Sequence, residues 1–123
     1  MTTPHLPRRA PIDAYGKGGF RFAGMSHHGS LMCLPSGIWA WGPAAPAEID
    51  TAALAPVFAE AGEIDLFLLG TGAAPWLVPA ALRWELRDRH VALEAMPTGP
   101  AVRTYNILLG ENRRVAVGLI AVE

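Results

Sequence analysis

The run Ile64-Asp65-Leu66-Phe67-Leu68-Leu69 narrows the possible folds of this chain more than any other segment. A strand with one wet face alternates apolar and polar residues. This run is nearly continuous in apolar residues, the pattern of a strand covered on both faces. Two more apolar runs follow, Val91 to Ala95 and Arg114 to Val122, and helical patterns separate the three. In the first of these, Pro79 suits a first helical position, Leu82 and Leu86 share a face, and Arg83, Arg87 and Arg89 point elsewhere. In the second, Thr98 is placed to cap a helix on which Ala101, Tyr105 and Leu108 form one stripe, with Gly110 at its end. Strand, helix, strand, helix, strand with short loops predicts parallel neighbours joined by right-handed crossovers.

Upstream the punctuation changes. From Ile12 to Trp41, turns at Gly16-Lys17-Gly18-Gly19, Gly24 and Pro35-Ser36-Gly37 separate short apolar stretches, including Leu31-Met32-Cys33-Leu34 and Ile38-Trp39-Ala40-Trp41. This half reads as an antiparallel β-ribbon or meander, with Trp39 and Trp41 on one face. Asp50 is a good N-cap for a helix carrying Leu54, Val57, Phe58 and Ala61 on one stripe, stopped near Gly62, with Pro56 inside it. The expected class is therefore α/β. Residues 11–123 form a single domain, with a parallel βαβαβ C-terminal part and an N-terminal antiparallel ribbon. Residues 1–10, rich in proline, are expected as a flexible arm.

A length of 123 residues, 51% of them hydrophobic, suits one core. The formal net charge of −1 gives no basic surface for nucleic acid. Cys33 is the only cysteine, which excludes an internal disulfide and fits a reducing compartment. The first residues lack the apolar core of a secretory signal, and no apolar run reaches the ~18–20 residues of a membrane span. A cytoplasmic protein without membrane insertion is the expectation.

The polar residues offer one candidate cleft. Gly70-Thr71-Gly72 follows a strand directly, and Thr98, Arg103 and Asn106 sit at and just beyond a helix start. In open α/β sheets such edges gather ligands, and helix N–H groups favour anions. Arg103 and Asn106 are three apart and share a helical face that can hold a carboxylate or phosphate. A structural alternative pairs Arg103 with Glu94, Asp65 or another acid, tying the helix to the sheet. Gly70-Thr71-Gly72 lacks the helix that a dinucleotide fingerprint requires, so no nucleotide cofactor is expected. His27 and His28, adjacent on a strand, face opposite ways and make a poor metal pair. Cys33 in an apolar run reads as a small buried hydrophobe, and Ser36 as turn chemistry. No catalytic set emerges. Of the four tryptophans, Trp39 and Trp41, with Trp84 on the Arg87 side of its helix, are candidates for a partner-binding surface, since Trp and Arg are enriched at hot spots. A homodimer burying the tryptophan strand is the quaternary alternative.

The motifs Tyr15-Gly16-x-Gly18-Gly19-Phe20, His28-Gly29-Ser30, Leu68-Leu69-Gly70-Thr71-Gly72 and Met96-x-Thr98-Gly99-x-Ala101-x-Arg103-Thr104-Tyr105-Asn106 resemble an uncharacterised bacterial and archaeal domain family. That family includes the mitochondrial assembly factor number three of respiratory complex I. The resemblance runs from about Ile12 onward. It implies a compact three-layer α/β domain with a mixed sheet, no catalytic residues or cofactor to carry over, and action by holding protein partners. Pro100 departs from the small residue usual there. Two functions are therefore in view: a non-enzymatic interaction or assembly factor, and a small-anion-binding domain or enzyme using the Gly70-Thr71-Gly72 and Thr98 cleft.

Overall fold

A computed structural model describes residues 3–123. Strands β1 (Ala14–Gly16), β2 (Gly19–Phe22) and β3 (Met25–His28) form an antiparallel meander. The main sheet contains β4 (Leu31–Leu34), β5 (Gly37–Ala40), β6 (Leu66–Gly70), β7 (Ala92–Met96) and β8 (Val115–Leu119), in the order β5-β4-β8-β6-β7. Strand β6 runs parallel to both β7 and β8, and β4 runs antiparallel to β5 and β8. The sheet is mixed, as expected. The ribbon is shorter than expected, because β4 and β5 leave it and form a hairpin at one side of the main sheet.

Helix α1 (Thr51–Ala59) starts at Asp50, whose carboxylate accepts the Ala53 N–H at 2.9 Å. It stops at Ala59 rather than Gly62, because a 3-10 turn over Ala61–Glu63 takes over the chain. Helix α2 spans Ala80–Asp88, with Pro79 as N-cap rather than first helical residue. Helix α3 spans Thr98–Gly110.

Three layers result. Alternation along each strand sends Met32, Leu34, Phe67, Leu69 and Ala116 to the face covered by α1 and α2. Leu31, Cys33, Leu68, Val115, Val117 and Leu119 point to the other face, under α3 and the meander's Phe20 and Phe22. The continuous apolar run in β6 is thus explained by burial on both sides. From β6 the chain moves one way to β7 and then back past β6 to β8. Crossovers of one hand in opposite directions put α2 and α3 on opposite faces.

Segment 1–10 divides. Met1 and Thr2 lie outside the described residues. The His5 N–H donates to the Ile38 carbonyl at 2.8 Å, and the Ile38 N–H donates to the Leu6 carbonyl at 2.9 Å, so this stretch lies along β5. Ala10 is buried in the core.

Two helices end without the glycine such ends favour. At α2, His90 has φ 60°, with its N–H on the Arg87 carbonyl and the Val91 N–H on that of Leu86. At α3, Asn112 has φ 58° and the same pair of reverse bonds, from Asn112 to Leu109 and from Arg113 to Leu108. This is the Schellman arrangement. Asparagine tolerates the left-handed region, whereas histidine is strained there. His90→Gly is expected to stabilise the domain by about 0.5–1 kcal/mol. Urea titration checks this; a lower midpoint would show that the His90 ring contributes more than its backbone costs.

A closed switch point at the strand ends

The carboxyl ends of β6, β7 and β8 meet where the strand order reverses, the place where α/β sheets bind ligands. The glycine loop and the start of α3 do converge there. The Gly72 N–H donates to Thr98 Oγ1 at 3.0 Å, and the Thr98 N–H donates to the Gly72 carbonyl at 2.9 Å. Thr98 Oγ1 donates in turn to the Ile120 carbonyl at 2.7 Å. Thr71 Oγ1 donates to the Ala74 carbonyl at 2.7 Å, with the Met96 carbonyl at 3.2 Å beside it. Gly70, Thr71, Gly72 and Thr98 are all buried, and a side chain at Gly70 would strike Leu119 and Thr98.

This arrangement corrects the role read for Thr98. It is the first residue of α3, not its cap, which is Pro97 without a side-chain bond. Its hydroxyl ties two loops together instead. The helix start offers little to an anion: the Thr98 N–H is taken, Pro100 has none, and the Tyr15 ring lies over Gly99. Of the residues expected to line the cleft, Gly70, Gly72 and Thr98 bond to one another's loops and to Ile120, and Thr71 bonds to Ala74 and Met96.

Asn106 is also occupied. Its Oδ1 accepts the Ile12 N–H at 2.9 Å and its Nδ2 donates to the Ile12 carbonyl at 2.8 Å. The side-chain amide thereby binds the segment ahead of β1 to α3 as a second strand would. Arg103 lies apart from this group. It is exposed and, among the described residues, makes no ion pair with Glu94 or Asp65; Asp65 pairs with Arg114 at 3.4 Å.

Beneath α3, Cys33 and Tyr105 are buried together. Burial pushes the Cys33 thiol well above its ordinary range. It does the same to the Tyr105 phenol, helped by the neighbouring Cys33. Neither ionises near neutrality, so neither is a nucleophile or base there.

The tryptophans separate by environment. Trp41 is in the core with its Nε1–H on the Ala53 carbonyl at 2.9 Å, which removes it from any partner surface. Trp41 belongs to the core beneath α1, and Trp39 packs against its margin. Trp39 is half-buried, its Nε1–H on Ser36 Oγ at 3.1 Å. Trp84 is 59% exposed, with the Arg87 guanidinium 5.4 Å from its ring centre. Leu77, 86% exposed, stands in the loop before α2, and Ile107, 62% exposed, stands on α3 outside the stripe of Ala101, Tyr105 and Leu108. The outer side of the meander holds a concavity of about 360 Å³ lined by Tyr15, Lys17, Arg21, His27 and His28 among others; none of the expected cleft residues lines it.

These features define a small three-layer α/β domain whose strand-end loops are tied together by the hydroxyls of Thr71 and Thr98. Residues 12–120 match the family described as protein of unknown function (DUF498/DUF598), and the chain belongs to that family. The zebrafish (Danio rerio) NADH dehydrogenase (ubiquinone) 1 alpha subcomplex assembly factor 3 is 31% identical over 89% of this chain, which spans 63% of that factor's length. A Rhodopseudomonas palustris protein solved by NMR is 56% identical, with a TM-score of 0.86 over 99% of this chain and 90% of that one. The crystal structure of a protein described as an outer membrane protein of Bartonella henselae is 47% identical, with a TM-score of 0.94 over 97% of this chain and all of that one.

Proposed function

We propose that this domain is a non-enzymatic assembly factor that holds a protein partner while a larger complex is built, with respiratory complex I the first complex to test. The kinship with the zebrafish assembly factor carries this reading. The site geometry supports it, since the polar groups at the switch point are spent on the fold. The contact surface in this reading is the outer side of α2, where Trp84 stands exposed beside Arg87. A large ring with a guanidinium against it gives wide contact area at low entropic cost. No helix among the described residues is long and apolar enough to cross a membrane. The factor would work from the cytoplasm, consistent with its single buried thiol.

Crosslinking with mass spectrometry in the source cell tests the proposal. Trp84→Ala combined with Arg87→Ala is expected to abolish the partner crosslinks while stability stays within about 0.5 kcal/mol, as for other exposed positions. Unchanged crosslinks would overturn the assigned surface. Crosslinks only between copies of this chain would replace the assembly role with a homodimer.

A further inference from the structure

Strand β5 is one edge of the main sheet, and an edge strand offers unpaired backbone groups to any extended chain. Here residues His5 and Leu6 occupy that edge through their backbone bonds to Ile38. Gly37 is part of the fit, because the Leu6 carbonyl takes the space a Cβ would need. The cover is short. Leu6 is half-buried against the core margin, Arg9 donates to the Arg113 carbonyl at 3.2 Å, and the firmer anchors beyond are buried Ala10 and the Asn106 clamp on Ile12.

An imidazole pair fastens this cover. The His5 ring centre lies 4.6 Å from that of His27, the planes inclined at 47°. His27 Nε2 is 3.0 Å from the Ser30 carbonyl, which also accepts the Trp41 N–H at 3.0 Å. A carbonyl only accepts, so neutral His27 carries its proton on Nε2 and a second proton must go to Nδ1. The ionisable groups acting on it are His5 from the cover and His28 from its own strand, both bases. The concavity beside it adds Tyr15, Lys17 and Arg21, and no carboxylate lines that space.

We propose that residues 3–9 form a pH-sensitive cover for the β5 edge, released when His27 gains a second proton beside the His5 ring. A charged His27 keeps its bond to the Ser30 carbonyl, but it loses solvation and faces His5 and His28, and no carboxylate lines the concavity beside it. The sign of the pH dependence follows from the environment. Burial lowers the His27 pKa from its ordinary 6.5, so the covered state binds a proton less readily than the released one. The cover is therefore held fully above that value and loosens as pH falls below it.

Amide exchange followed by NMR on the whole chain, at pH 7.5 and 5.0 and corrected for intrinsic rates, reads this directly. The Ile38 amide is expected to lose about tenfold or more of its protection at the lower pH, while Leu68 and Val117 keep theirs. In His27→Gln, which retains a donor for the Ser30 carbonyl but cannot titrate, Ile38 protection is expected to be equal at both values. His5→Phe, which keeps a ring without a charge, is expected to behave likewise. The proposal is overturned if Ile38 protection is unchanged in the native chain, if it falls equally in both variants, or if the core amides fall with it.

Discussion

Thr98→Val is expected to destabilise the domain by about 2–4 kcal/mol, although valine matches threonine in shape. The substitution leaves the Gly72 N–H without an acceptor and the Ile120 carbonyl without a donor, both at a buried position. Each stranded buried group costs about 1–3 kcal/mol. For a chain of this size the loss corresponds to a fall in Tm of roughly 10 °C. Thr98→Ser keeps the hydroxyl and is expected to cost about 1 kcal/mol, the value of one buried methyl. Thermal melts and urea titrations of the two variants give the comparison. A valine variant that melts with the parent would mean the hydroxyl is not what binds the three strand ends together.

Trp41→Ala is expected to cost about 3–5 kcal/mol, the range for truncating a large buried aromatic. The ring fills the space over Gly118, where a Cβ would come within 2.9 Å of it and 3.1 Å of Phe67. Its Nε1–H also fastens the end of β5 to α1 through Ala53. Trp41→Phe preserves part of the ring and loses that bond, for an expected cost of about 1–2 kcal/mol. Gly118→Ala alone is expected to cost about 1–3 kcal/mol by crowding. Joined with Trp41→Phe, it is expected to cost less than the sum, since the smaller ring leaves room for a methyl. Strict additivity in urea titrations would show that the two positions do not share one space.

Much of the fold was readable from local pattern. The apolar run at Leu66–Leu69, the stripe at Leu82 and Leu86, and the cap at Asp50 each follow from side chains within one element. The place where Gly72 and Thr98 meet was readable too, since connections of one hand bring those loops to one rim. What fills that rim was not. Thr98 finds its acceptor 22 residues away, and Asn106 finds Ile12 at a separation of 94. A hydroxyl or amide near a helix start looks the same whether it awaits a ligand or holds its own backbone. The β4–β5 hairpin shows the same limit: its alternation fits a free ribbon as well as a sheet margin. Residues 1–10 read as a flexible arm because the bridge at Leu6 leaves no periodic trace. Trp84 was legible as off its helix stripe, whereas the burial of Trp41 depends on Gly118, far along the chain.

Strand β8 is the last of the eight in chain order, yet it occupies the middle of the main sheet, between β4 and β6. During synthesis on a ribosome the β4–β5 hairpin and the β6–β7 pair therefore wait as separate pieces, each with an open side where the keystone will go. Neither piece shares a ladder with the other until Val115 to Leu119 has emerged. A nascent chain of this design passes through an interval in which its open edges are adhesive toward other unfinished copies, and that interval closes only when β8 takes its place.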